Sequence, residues 1–230
     1  MAFIPEELKV RLVSGIALFS SAVFIISIGG GFYISTLLLI ALFCAAEFFM
    51  IINKKRIDEV EEKKWIFKGV ALIGVPIISL YIIREVFSNG TITAFWFFIL
   101  VSMVDTFAYF TGKLIGRTKL APSISPSKTV EGLVGGVILA TLFSLIFFYI
   151  FKSKLHIAGF LLISLTISLL AQVSDLLESK FKRIFDVKDS SNLIPGHGGF
   201  LDRLDGYLLT APALVIFYFV FKTLFSISIF

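Results

Sequence analysis

The side chains able to do chemistry in this chain gather towards its C-terminal end. Asp175, Glu178, Ser179 and Lys182 fall three and four residues apart, the spacing that puts side chains on one face of a helix. Asp202 and Asp205 repeat the three-residue step, so two carboxylate pairs flank the turn Pro195-Gly-His-Gly-Gly199. Oxygen-rich pairs of this kind suit Mg²⁺, which takes carboxylates, water and substrate phosphates in preference to thiolate or imidazole. Their plainer role, for Asp202 and Asp205, is to complement a helix N-terminus. Gly196, Gly198 and Gly199 permit positive φ and would let successive N–H groups face an anion, so the turn reads as a phosphate cradle or simply as a turn. His197 would meet a phosphate or base, or else pack and hydrogen-bond a carboxylate. Lys182, Arg183, Lys188 and Arg203 add positive charge, and Arg203, between two aspartates, would orient them or meet an anionic substrate. A second polar stretch, residues 111–129, holds Ser127 or Thr129 as the cap of a helix after Pro126, with Lys128 beside that N-terminus as an anion site. Asp105 lies near the end of an apolar run, where an ionisable group is either functional or bonded to a neighbouring helix.

The elements that must position these groups are hydrophobic. The chain is 57% apolar with 27 Phe and only 16% charged residues, and its mean hydropathy is +0.97. That composition belongs in a bilayer. Seven apolar runs are long enough to cross it as helices: residues 12–28, 32–52, 65–83, 92–110, 130–151, 155–173 and 207 to about 225. They predict an all-α polytopic membrane bundle with a polar cavity at its cytoplasmic side, and the lack of alternation excludes a barrel. Of the 21 Lys and Arg, all but Arg84, Lys152, Lys154 and Lys222 fall on one side of this topology, which the positive-inside rule makes cytoplasmic together with the N-terminus. The net charge of +5 thus reflects topology, and without an aromatic–basic module nucleic acid is not expected as a partner. No small-residue cleavage site precedes the turn Gly29-Gly30-Gly31, so the first run reads as a retained helix rather than a signal peptide. Cys44 is the single cysteine, which excludes an intramolecular disulfide and a thiolate metal site. Pro76 and Pro212 would kink their spans, and Gly132, Gly135, Gly136 and Ala140 offer faces for close helix packing. Trp65 reads as an interfacial anchor, and Glu47 would snorkel, bond a neighbouring helix or reach the site.

The order Ser179-x-Phe-Lys-Arg, Lys188-Asp189, Pro195-Gly-His-Gly-Gly and Asp202-Arg-Leu-Asp205 resembles the signature of the phosphatidate cytidylyltransferases, also called CDP-diacylglycerol synthases. A second stretch, Asp105-Thr-Phe-Ala-Tyr-Phe-Thr-Gly followed by Lys119-Leu-Ala-Pro-x-x-Ser125-Pro-Ser-Lys128-Thr-x-Glu131-Gly132, is similar to that family's upstream motif, so the resemblance spans about residues 92–210. Ser174 and Ser191 stand where the pattern carries Gly. The resemblance implies transfer of a cytidylyl group from CTP to phosphatidate, with one or two Mg²⁺ ions, in the inner cell membrane. It implies catalytic roles for Asp175, Asp202, Lys188 and Asp189, and metal ligation by Asp175 and Asp202, with Asp205, Glu178 and Asp105 as further ligands. Ser125, Lys128, Lys182, Arg183, Gly196, His197, Gly198, Gly199 and Arg203 would bind substrate. On this reading residues 1–90 are N-terminal spans of general character and 91–230 a catalytic transmembrane domain; a homo-oligomer stays open. A CTP-dependent enzyme acting on another lipid, such as an isoprenoid glycerol phosphate or a polyprenol, remains an alternative, as does a polytopic transporter. No Asp-Gly-x-x-Ala-Arg pattern of a CDP-alcohol phosphotransferase is present.

Overall fold

The computed structural model describes residues 6–226 and 229–230. Its helices follow the apolar runs: α1 (Glu6–Ile28), α2 (Gly30–Ile52), α3 (Glu59–Tyr81, continued by a π-helical turn, Ile82–Val86), α4 (Gly90–Ile115), α5 (Val130–Ile150), α6 (Ile157–Ile184), the short α7 (Leu201–Leu204) and α8 (Tyr207–Phe225). Among the described residues seven helical segments are long and apolar enough to cross a membrane, so the fold is the expected all-α polytopic bundle.

Chain-end chemistry sets the boundaries. Gly29, at φ +67°, breaks α1 from α2 within one residue, a conformation that costs glycine little. Asp58 caps α3 by accepting from Glu61 N–H at 2.8 Å, and Thr129 caps α5 by accepting from Gly132 N–H at 3.1 Å. Between α4 and α5, where the sequence predicts only a loop, β1 (Lys119–Ala121) and β2 (Ser125–Thr129) form an antiparallel hairpin. Helix α6 continues past its apolar run, as the spacing of its polar residues predicts. The apolar run ends at residue 173, yet the helix continues to Ile184. At about 1.5 Å per residue its 28 residues outreach a hydrocarbon core of about 30 Å, so the last turns carry Asp175, Glu178, Ser179 and Lys182 on the common face their spacing predicts.

Packing holds this extension in place. Phe181 stacks on Phe48 of α2 with ring centroids 4.6 Å apart, and Trp65 of α3 meets Phe181 and Phe185 at 5.6 and 5.2 Å. Trp65, expected as an interfacial anchor, braces α6. Helices α4 and α5 pack closely: a Cβ on Gly136 would lie 2.7 Å from Ala108 Cβ and 2.8 Å from the Val104 carbonyl, a separation only small residues allow.

Two sets of contacts sort the connections by end. Arg84 donates to the Ile26 carbonyl at 2.7 Å and Gly30 N–H to Glu85 at 2.9 Å. At the other end Lys55 donates to the Ile184 carbonyl at 3.2 Å, Arg183 to the Ile124 carbonyl at 3.1 Å, and Ser14 lies 2.9 Å from His197 Nδ1. The start of α1, the α2–α3 connection, the hairpin and the segment between α6 and α8 thus share one end, the one the sequence loads with Lys and Arg.

Candidate active site

Two polar clusters meet on the extended end of α6. The first lines a cavity of about 340 Å³ between α4, the end of β2, α5 and α6, with Asp105, Lys128, Gln172 and Asp175 in its wall. Lys128 Nζ is 2.5 Å from Asp175 and 3.5 Å from Gln172 Oε1, while Gln172 Nε2 donates to Asp105 at 3.3 Å. Tyr109 and Lys113, both exposed, complete the α4 side of the lining. The cavity floor comes from Gly112, Gly132 and Thr129, the close α4–α5 packing leaving room beneath two acids and a lysine.

The second cluster is buried. Lys182 sits between Glu178, 2.7 Å away, and Asp202, 2.6 Å away. Glu178 is 1% exposed, and neither oxygen meets a hydrogen-bond donor in good geometry, so its charge depends on Lys182. The free side of Asp202, Oδ2, accepts from Ser190 N–H, Ser190 Oγ and Gly199 N–H, each at 2.9 Å. Asp205 is half-buried; it accepts at Oδ1 from Gly206 N–H at 2.6 Å and lies within electrostatic reach of Asp175, Asp105 and Glu178. Ser179 joins the clusters along the helix, donating to Asp175 at 3.2 Å.

The glycine turn folds as its composition requires but around different anions. Gly196 and Gly198 have φ of +76° and +81°, and Ile194 and Gly198 close the turn with an N–H to carbonyl bond of 2.8 Å. The N–H groups that follow do point at anions, as expected of such a nest. Those anions belong to the protein: Gly199 N–H bonds Asp202, and Phe200 and Leu201 N–H bond Glu47 at 3.0 and 2.8 Å.

The remaining residues singled out from sequence spread over this end. His197 packs on α1, its ring bonded to Ser14 and lying where a Cβ on Gly15 would meet it at 3.6 Å. Burial, with Arg203 and Arg11 nearby, pushes its pKa below the ordinary imidazole value, so the ring is neutral at neutral pH. Since the folded state then binds fewer protons than the unfolded chain, stability from this residue is lost as pH falls below about 6.5. A His197→Gln variant is expected to keep turnover within about tenfold; a loss of roughly 10²–10⁴-fold, the range of general acid–base catalysis, would return the ring to the reaction. Arg183 is committed to the carbonyls of Ile124 and Val187, Ser125 is half-buried at the start of β2, and Lys188, Asp189 and Arg203 are exposed.

Sequence reasoning missed Gln172 and left Glu47 open. Gln172 is 2% exposed and lies at helical spacing from Asp175, a signal that was present. Glu47 is fully buried beside a segment some 145 residues downstream in the chain, and no local spacing could reveal that. The two departures from the family pattern both make bonds: Ser174 Oγ donates to the Asp205 carbonyl and accepts from Leu209 N–H, and Ser191 Oγ donates to Glu47 at 2.7 Å.

A bundle of helices long and apolar enough to span a membrane, with an acid- and lysine-lined cavity at one end, defines a polytopic membrane protein. The model of the cytidylyltransferase family matches residues 56–221, and the chain belongs to that family. Among similar curated proteins is one named phosphatidate cytidylyltransferase in Staphylococcus haemolyticus, 40% identical over 64% of this chain and 56% of its own length. Another of that name, in Bacillus subtilis, is 43% identical over 57% of this chain and 49% of its own length. A third, in Staphylococcus aureus, is 40% identical over 64% of this chain and 56% of its own length. The matched part of the chain spans about half the length of these relatives. The family match begins well before residue 92, in agreement with the packing of α3 and its Trp65 against the end of α6.

Proposed function

We propose that the protein transfers a cytidylyl group from CTP to phosphatidate, giving CDP-diacylglycerol and pyrophosphate, at the cytoplasmic face of the membrane with the N-terminus inside. The observation that carries this reading is the cavity in which Lys128, Asp175, Gln172 and Asp105 converge where α4 and α6 leave the apolar layer. A phosphate headgroup reaches such a site while its acyl chains stay in the leaflet, and a nucleotide enters from the aqueous side. The similarity to proteins named phosphatidate cytidylyltransferase supports the same substrates.

The chemistry asks little of a general base. A phosphatidate oxygen is already anionic at neutral pH, so it attacks the α-phosphorus of CTP in line; the new O–P bond forms as the bond to pyrophosphate breaks, and the electron pair leaves with pyrophosphate. The obstacle is charge, since the two substrates bring about six negative charges together. Lys128, at the wall of the cavity and beside the N-terminus of α5, is placed to meet phosphate; exchange of its partner from Asp175 to substrate would free that carboxylate. Lys113, Lys188 and Arg203, exposed at the same end, extend the positive surface.

The donor set suits a magnesium ion. Among the described residues no three His, Cys, Asp or Glu side chains converge closely enough to cage a metal, but Mg²⁺ is usually held by one or two carboxylates, with water and substrate phosphates completing its shell. Asp175 and Asp105 face the cavity and would hold it, with Asp205 within electrostatic reach of both, whereas Glu178 and Asp202 are engaged by Lys182, and Asp202 by the glycine turn as well. The ion would neutralise charge on the nucleotide phosphates and on the departing pyrophosphate.

Purified protein given CTP, phosphatidate and Mg²⁺ should release pyrophosphate and form a CDP-lipid, while diacylglycerol, which lacks the phosphate nucleophile, should be inert. Orthophosphate release, or equal turnover of diacylglycerol, would refute cytidylyl transfer. Faster turnover of a polyprenyl or isoprenoid glycerol phosphate would keep the reaction and replace the lipid.

A further inference from the structure

Glu47 belongs to α2, far outside both motif segments, and is fully buried. Its carboxylate is met by four donors from one segment, one of them, the Ser190 hydroxyl, shared with Asp202. Oε1 takes the Ser191 hydroxyl at 2.7 Å and Phe200 N–H at 3.0 Å; Oε2 takes Leu201 N–H at 2.8 Å and the Ser190 hydroxyl at 2.9 Å. Four donors match the accepting capacity of a carboxylate, and such saturation is what makes its burial tolerable.

The same segment is gripped from its other side by Asp202. Ser190 Oγ lies 2.9 Å from both Glu47 and Asp202, and Gly199, which gives its N–H to Asp202, has no room for a side chain against Ser190 and Glu47. Asp202 in turn holds Lys182 of α6. Glu47 therefore joins the second span to the extended end of α6 through residues 190–201. Phe43, one turn before it on α2, stacks on Phe200 with centroids 4.8 Å apart, an apolar contact that a change at Glu47 leaves intact.

We propose that Glu47 is a positioning residue for the transfer reaction: the internal anion around which residues 190–201 fold, so that Asp202 keeps its place on Lys182 at the extended end of α6 and Arg203, next to it in the chain, is held with it. This inference rests on the cytidylyl transfer proposed above. It also explains why the glycine turn presents no open N–H cradle for a substrate phosphate at residues 199–201, since those donors are spent on carboxylates.

The test separates charge from shape. Glu47→Gln keeps the size of the side chain but turns an amide N–H₂ towards a backbone N–H or a hydroxyl, breaking part of the clamp. Its kcat is expected to fall about 100-fold, the cost of misplacing reacting groups by about 1 Å, with KM for CTP changed by less than about threefold. Glu47→Asp keeps the charge and should recover activity to within about tenfold of the parent. Ser191→Ala, which removes one donor from a half-buried site, guards against failure of the others to fold and should show a smaller loss of the same kind. Hydrogen exchange at the amides of Phe200 and Leu201, read without substrate, should quicken in Glu47→Gln. Unchanged exchange at those amides overturns the clamp. Faster exchange with unchanged kcat, or an Asp variant no better than Gln, overturns the positioning role. A parent protein whose amides behave as expected but which transfers no cytidylyl group to any lipid phosphate overturns the reaction instead.

Discussion

Replacing Asp175 with Asn is expected to lower turnover by at least about 10³-fold, the effect of removing several kcal/mol of charge stabilisation from the transition state. The substitution keeps the shape of the side chain and its bond from Ser179, and it removes the charge that Lys128 meets at 2.5 Å on the cavity wall. Asp175 is only half-buried, so the folded bundle should persist, with an unfolding midpoint within a few degrees of the parent. Lys128→Met should be comparably impaired while weakening nucleotide binding, because it takes the positive charge from the same cavity. Pyrophosphate release from labelled CTP, measured beside a thermal melt in detergent, decides the matter. Near-parental turnover of Asp175→Asn at saturating Mg²⁺ would sink its role in holding metal, and aggregation of a variant designed to be isosteric would make the residue structural.

Much of this arrangement was legible because membrane proteins write their elements in long apolar runs. The seven spans and the Gly29 break follow from run length and glycine, and a hydroxyl before an apolar stretch narrows the cap of α5 to Ser127 or Thr129, of which Thr129 serves. The one-face spacing of Asp175, Glu178, Ser179 and Lys182 was also readable, although the apolar signal stopped at residue 173 and hid the length of α6; what carries that helix onward is aromatic packing by Phe48 and Trp65, a tertiary cause. The role of Glu47 was not readable for the same reason. A lone acid near a span end resembles a snorkelling side chain, and its four donors come from a segment that no local pattern connects to it. The nest was legible as chemistry but not as partnership, because sequence shows that N–H groups will face an anion without showing which. Ser174 and Ser191 stand where the family pattern carries Gly, and their hydroxyls bond the Asp205 carbonyl and Glu47, partners that the substitution alone does not reveal.

Lys182 should prove the most damaging single position for the fold. It is the only described cation within ion-pair distance of Glu178 and of Asp202, and both acids are buried, at 1% and 5% exposure. Breaking a buried ion pair by removing one partner typically costs roughly 3–5 kcal/mol, because the remaining charge is left uncompensated, and Lys182→Met would strand two acids at once. Asp202 retains the N–H groups of Ser190 and Gly199 and a share of the Ser190 hydroxyl, whereas Glu178 keeps none, so Glu178 is the expected source of most of the loss. A double variant distinguishes the two. Lys182→Met combined with Glu178→Gln should recover a large part of the stability lost by Lys182→Met alone, as seen by melting temperature and by yield in detergent. Transfer activity should stay low in both, since Asp202 would still lack the partner that ties the glycine turn to α6. Failure of the second substitution to restore any stability would move the strain to Asp202 and make the turn, rather than the face of α6, the part of the site that Lys182 holds together.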